Sequence, residues 1–409
     1  MLFSIKHAAL TALTLLSFVN TVATTNTNTT ERKTLNPRNT PYKNIPSDLP
    51  ISQLTHVIYA FANITASTGE VFLAKPFVDT KQAYADDLPS PDNTNLRGAL
   101  GQLYRLKSSH RHLKTLLSIG GPHFSRFFPA ATSTAEKRSR FVASAVRLLA
   151  DLGVDGIDLD WEYPTTKEEG GKYLLLLQEL RRGLDAYSAK AAGGYHFLLT
   201  VASPAEAKPM SYMPLGEMAA VIDWFNLMAY DYSGPWSKVS GHQSNLFSPG
   251  MTGDGTKAGR STEGVVDGYL RKGVPSGKIV LGIPLYGRSF KGTDGPGSSF
   301  EGTGEYEYKE LPLKGADVVS DAAAGATYTY DKTTREMVTF DTPEMIRMKV
   351  RWLKERVLAG CMFWESSMDK SDDRSLIATS HTLLGSVDMA QNQQSYQESA
   401  YDNVRGDIS

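Results

Sequence analysis

The sequence predicts an α/β protein, a (β/α)8 TIM barrel carrying a small α+β insertion between its seventh and eighth strands. Three observations carry that reading. Short apolar runs alternate with longer amphipathic stretches, which means parallel strands joined by helical crossovers. Seven such runs lie between Leu54 and Glu365, one fewer than a closed barrel needs. The alternation breaks once, over residues 288–340, where Gly, Tyr and Thr become frequent.

Residues 1–23 read as an export signal. Lys6 and His7 give a weakly basic start, Ala8 to Val19 is apolar, and Thr21-Val22-Ala23 offers a small-residue cleavage site. Residues 24–50 are polar and rich in Thr, Asn and Pro, an irregular entry. The catalytic-barrel segments are 51–287 and 341–386. Their apolar runs are Leu54 to Asn63, Leu113 to Gly120, Val154 to Glu162, His196 to Ser203, Asp223 to Asp231, Lys278 to Tyr286 and Gly360 to Glu365. Between them, Ala135 to Leu152 places Phe141, Ala145, Leu148 and Leu152 on one helical face, and Lys172 to Leu184 is similarly periodic. Pro343 to Leu358 opens after Thr342, an N-cap followed by proline at the first helical position.

Within 288–340, Thr327-Tyr328-Thr329-Tyr330 alternates with period two, as a strand does. The polar tail, 387–409, is expected to fray. No apolar run between the signal segment and Leu54 supplies a first barrel strand. That strand reads as missing or degenerate, which would leave two sheet edges exposed.

Composition narrows the function. Among 409 residues, 43 Lys and Arg balance 44 Asp and Glu, so no basic surface for nucleic acid is expected. No later run is long and apolar enough to span a bilayer, so no membrane association is expected once the signal is cleaved. Cys361 is the single cysteine, so no intramolecular disulfide forms; a large barrel core does not need one. The sequons at Asn28 and Asn63 are compatible with a secreted, extracellular protein. Nothing in the sequence points to an oligomer, and a monomer is expected.

The informative segment is Asp155-Gly156-Ile157-Asp158-Leu159-Asp160-Trp161-Glu162-Tyr163-Pro164. Residues two apart on a strand share a face at a spacing of about 6.6 Å. Asp158, Asp160 and Glu162 therefore line one side, and Ile157, Leu159 and Trp161 the other. In a barrel the apolar row meets the helices, while the acidic row points inward and ends at the catalytic rim. Burial and mutual repulsion raise the pKa of carboxyls so placed, which makes one of them available as a general acid. A Mg²⁺ or Ca²⁺ site is the competing use of such a row.

That segment matches the D-x-x-D-x-D-x-E pattern of glycoside hydrolase family 18, and the resemblance runs from about residue 45 to 385. Ser118-Ile119-Gly120-Gly121 resembles the family's third-strand motif and Met228-Ala229-Tyr230-Asp231-Tyr232 its sixth. Tyr286-Gly287-Arg288 resembles the seventh and Met362-Phe363-Trp364-Glu365 the eighth.

The resemblance implies a retaining chitinase in which the substrate supplies the nucleophile. Glu162 would protonate the glycosidic oxygen and then activate water. Asp160 would orient the acetamide that attacks the anomeric carbon, and Asp158 would share a proton with Asp160. Tyr230, Asp231, Met228 and Tyr163 would contact the sugar, and Trp364 would form its floor. Trp236 would be an aromatic platform further along the chain. Arg288 is either a sugar contact or an ion-pair partner of the insertion. Gly120 and Gly121 relieve crowding rather than touch substrate.

No metal and no cofactor is implied, and the partner is chitin or its oligosaccharides. The family often has Trp after its third-strand glycines; here Pro122 and His123 follow, which puts processivity in doubt. An inactive or weakly active chitin-binding lectin-like protein on the same fold is the alternative. It is disfavoured because Glu162 is present. An endo-acting N-glycan hydrolase of the family is disfavoured by the insertion.

Overall fold

The computed structural model of the chain describes residues 13–19 (as backbone), 45–85, 87, 94–248 and 260–406. Eight parallel strands form its centre: β1 (Leu13–Val19), β2 (His56–Ile64), β4 (Lys114–Gly120), β5 (Gly156–Asp160), β6 (Leu198–Ser203), β7 (Trp224–Leu227), β8 (Ile279–Pro284) and β14 (Gly360–Trp364). A short strand, β3 (Val71–Leu73), runs antiparallel on β2. The ring closes through β1, which pairs Leu13–Leu16 with Gly360–Phe363 of β14 and Leu15–Val19 with His56–Ala60 of β2.

The first strand, expected to be missing, is therefore supplied from inside the stretch read as an export signal. An apolar signal core and a buried barrel strand are both short apolar runs, and composition does not separate them. The rest of the signal segment, 1–12 and 20–23, lies outside the described residues, as does 24–44 of the polar entry.

Local sequence explains the helices. In the helix Ala135–Leu152, the Thr134 side chain accepts a hydrogen bond from the Lys137 amide at the start. Gly153, at φ 63°, ends it in the left-handed conformation. Phe141, Ala145, Leu149 and Leu152 are its buried face, one position off the expected stripe at Leu148. Thr166 caps Lys167–Ala191 through the Glu169 amide, and Thr342 caps Pro343–Glu355 through the Met345 amide, as its sequence predicts. Ile157 and Leu159 on the outside of β5 are fully buried, and the helix Ala135–Leu152 packs against that strand. Inside the ring a second cluster packs Ile58, Leu116, Trp224, Val280 and Met362.

The insertion is an antiparallel sheet of five strands in the order β10-β9-β13-β12-β11. They are β9 (Tyr286–Lys291), β10 (Gly302–Glu307), β11 (Asp317–Asp321), β12 (Ala326–Asp331) and β13 (Glu336–Phe340). Its helical part among the described residues is one 3-10 turn, Tyr308–Glu310. β9 follows β8 almost directly, so the sheet grows out of the catalytic rim.

The C-terminal segment does not fray as expected. Asn392 donates its side-chain amide to the carbonyls of Lys107, His110 and Leu113. Tyr396 is fully buried, and its hydroxyl donates to the Val154 carbonyl. The segment is polar because its amides and hydroxyls satisfy carbonyls at the floor of the barrel.

Candidate active site

Strand β5 carries the acids, and its neighbours decide their states. Asp158 is buried, and it receives a donor from each of three other strands, the two that flank β5 and the next one along. Ser118 Oγ on β4 donates to Oδ2 at 2.6 Å; Thr200 Oγ1 on β6 and Asn226 Nδ2 on β7 donate to Oδ1 at 2.5 and 3.0 Å. Trp224 Nε1 holds Asn226 in turn at 3.0 Å. Burial still pushes the Asp158 carboxyl above its ordinary range, against these donors. Such a set of hydroxyl and amide donors satisfies a carboxylate, and it leaves few oxygens for a cation.

Two residues further along, Asp160 is buried, and its carboxyl is pushed well up by desolvation and by the charges of Glu162 and Asp158. It hydrogen-bonds Glu162, while its Oδ1 is buried without a partner. Glu162 follows the strand at the rim. Its carboxyl is raised to about 7, first by burial and then by the negative charge of Asp231. Hydrogen bonds from Tyr163 and Asp160 pull the other way. The Glu162 amide donates to Ser125 Oγ at 2.7 Å, and that hydroxyl donates to the Asp160 carbonyl at 3.0 Å, which fixes the turn between the two acids.

On the opposite face, Trp161 stacks on Phe128 with ring centroids 5.1 Å apart, so the apolar row does meet the helix layer. Gly120 and Gly121 allow close approach here. A Cβ on Gly120 would stand 2.2 Å from the Asp160 carbonyl oxygen, and one on Gly121 would stand 2.6 Å from the Phe61 ring; both have positive φ.

These acids open into a cavity of about 460 Å³ lined by Asp160, Glu162, Tyr163, Met228, Tyr230, Asp231, Trp236, Arg288 and Trp364. Every substrate-contact residue expected from the sequence is in that lining, and Asp158 lies beneath it. Trp236 is 54% exposed. Tyr230 is buried edge-on to Tyr286, with centroids 6.2 Å apart. Asp231 stands at φ 58°, a left-handed conformation that costs a non-glycine residue about 1 kcal/mol or more. It is held there by Tyr286 Oη at 2.8 Å and by the Arg288 guanidinium at 2.8–2.9 Å. Arg288 also donates to Glu305 of β10 at 2.7 Å, so it belongs both to the cavity and to the insertion.

Sequence reasoning missed several members. Phe61 sits at a register shift in β2, where a bulge brings its ring onto Trp364 at 5.7 Å. Glu206 and Arg260 pair at 2.9 Å on the cavity wall, and Glu305 also lines it. None belongs to the acidic row; only the fold brings them in.

A parallel barrel with a proton-holding pair of acids at its C-terminal rim, in an aromatic-lined cleft, defines an acid–base hydrolase built for sugars. Comparison with known proteins makes this specific. Residues 23–369 match the model for glycosyl hydrolases family 18, and the chain belongs to that family. It is 44% identical to Chitinase 1 of Aphanocladium album over 367 residues, 88% of this chain and 86% of that one. It is also 44% identical to Endochitinase 1 of Metarhizium robertsii over 367 residues, with the same shares covered. Among solved structures, chitinase ChiA74 from Bacillus thuringiensis superposes with a TM-score of 0.80 at 26% identity, covering 93% of this chain and 71% of that one.

Proposed function

We propose that this family 18 glycosidase cleaves β-1,4 bonds between N-acetylglucosamine units of chitin and its oligosaccharides by a substrate-assisted retaining mechanism. Relatives named chitinase and endochitinase, matched over most of both chains, support the reaction. One structural observation carries the mechanism. The buried Oδ1 of Asp160 has no partner, although the same carboxyl is bonded to a glutamic acid held near neutral pKa. A buried unpaired oxygen costs about 1–3 kcal/mol, and a substrate amide N–H relieves that cost.

The steps follow from the groups present. Glu162 holds a proton below pH 7 and donates it to the glycosidic oxygen as the bond breaks. Asp160 accepts the acetamide N–H, which turns the acetamide oxygen toward the anomeric carbon and stabilises the oxazolinium ion that forms. Glu162, now ionised, takes a proton from water as that ion opens. Asp158 supports Asp160 through its own raised proton affinity and its fixed place under the cavity. Tyr230 and Asp231 hold the sugar and Trp364 packs against its C–H face, while Met228 and Tyr163 close the sides. Trp236 extends the apolar track.

An extracellular location suits an insoluble polymer. The chain is read as acting as a monomer. Among the described residues no helix is long and apolar enough to cross a membrane.

The test is fluorophore release from a tri-N-acetylchitotriose glycoside by the parent and by Glu162→Gln. Loss of the general acid should lower kcat by about 10²–10⁴-fold. Oligosaccharide binding without turnover in the parent would instead mark a lectin-like protein.

A further inference from the structure

The insertion is more than a wall, because one of its side chains enters the charge arrangement around the acid. Arg288 on β9 lies between Trp236, with its guanidinium carbon 5.3 Å from that ring, and Tyr286, at 5.0 Å. Its side chain is 17% exposed, so it is held in place rather than free in solvent. In that position it meets two carboxylates. Nε and one terminal nitrogen face Asp231 Oδ1 at 2.9 and 2.8 Å, and the other terminal nitrogen faces Glu305 Oε2 at 2.7 Å. β10 pairs with β9 in the register Glu305↔Arg288, so the insertion's ladder sets this contact. One cation thus serves two anions, and the three groups together carry a net negative charge when ionised.

We propose that Glu305 is a positioning residue of the reaction: by dividing the Arg288 guanidinium with Asp231, it keeps the negative charge of Asp231 acting on Glu162. The insertion thereby sets the pH range of the acid. This rests on the reading that Glu162 is the general acid.

The other groups in view are accounted for. Glu162 is faced by Asp160 at the end of β5, Tyr163 beside it, and Tyr230 and Asp231 from the loop after β7. Glu305 is faced by Arg288, Asp231 and, on its own strand, Glu307, which is engaged by Lys309. Glu206 on the same cavity wall is paired with Arg260. Asp231 is the charge outside β5 that raises Glu162, and Arg288 is the cation bound to it. Removing Glu305 deletes one negative charge and leaves Arg288 to neutralise Asp231 alone. Both changes lower the proton affinity of Glu162.

The experiment is a titration of Glu162 by carbon NMR on protein labelled at glutamate carboxyls, assigned by the signal lost in Glu162→Gln, with pH–kcat profiles alongside. In Glu305→Gln the Glu162 titration and the basic limb of kcat should both move to lower pH by about half a unit, the scale of one charge removed in a partly solvated cleft. Glu305→Asp, which keeps the charge, should return the titration most of the way to that of the parent. A purely structural contact would lower kcat by one factor at every pH and leave the titration in place. Superimposed titrations of the parent and Glu305→Gln overturn the proposal. The NMR readout does not need turnover, so failure of the catalytic reading would show separately, as a parent that titrates but cleaves nothing.

Discussion

Replacing Glu162 by glutamine should stabilise the protein at neutral pH while removing its activity, and the size of the gain follows from the site. Burial and Asp231 hold the Glu162 carboxyl at about 7, against an ordinary value of 4.5. A group whose proton affinity is higher in the folded state makes folding more favourable at low pH. That contribution is complete below about pH 4.5 and is lost as pH rises through about 7. A tenfold change in proton affinity is worth about 1.4 kcal/mol, so the parent loses about 3 kcal/mol across this window.

Glutamine is neutral throughout, fills the same space and can still accept from Asp160, so the variant avoids that loss. At an unfolding entropy of about 2 cal/mol/K per residue, 3 kcal/mol in a chain of this size is about 4 °C in Tm. The assay is thermal or urea unfolding of both proteins from pH 4 to pH 8. The curves should meet near pH 4 and diverge above pH 5, with the variant the more stable. Parallel curves over the whole range would mean that Glu162 is not held protonated by its surroundings, and the assignment of the acid would lose its electrostatic basis.

Two further outcomes test the frame that holds the site. Lys107 and Asp155 form an ion pair at 2.7 Å with both side chains fully buried, and burial holds the lysine down at about 8. Lys107→Met leaves Asp155 uncompensated and should cost about 3–5 kcal/mol, read as a lower urea midpoint together with faster proteolysis within residues 387–406; an unchanged midpoint would refute this. Deleting residues 1–23 removes β1 and opens ladders on β2 and β14. Cooperative melting should be lost, whereas an unchanged melt would show that β1 is dispensable and that the segment is free to act as a cleaved signal.

The acidic row was legible in the sequence because a strand's period of two puts alternate residues on one face whatever the rest of the fold does. The motifs on β4, after β7, on β9 and on β14 were legible through their resemblance to a known family, and the cap at Thr342 through its local sequence. What surrounds the acids was not. Ser118, Thr200 and Asn226 converge on Asp158 from three strands, and Glu305 reaches Arg288 through an antiparallel register that no local pattern encodes. The polar C-terminal segment looked unable to pack because its composition lacks a core, yet its amides satisfy carbonyls at the end of a helix and in the loop after it. β1 was not read as a strand because a short, largely apolar run of seven residues looks alike in an export signal and in a barrel.

The Asp155 carboxylate lies at the opposite end of β5 from Glu162. It binds Lys107 Nζ, the Thr115 amide and the Gln393 amide, all at the floor. A strand rises about 3.3 Å per residue, so the two ends of this short motif are separated by most of the barrel's height. A motif that reads as one catalytic string is therefore two devices sharing a strand, one that clamps the chain's end and one that breaks bonds. Anyone transplanting the acids into another barrel can leave Asp155 behind where that floor is already closed. A survey scoring each motif position by lost activity would put it in the wrong class, because its loss reaches the rim only through unfolding.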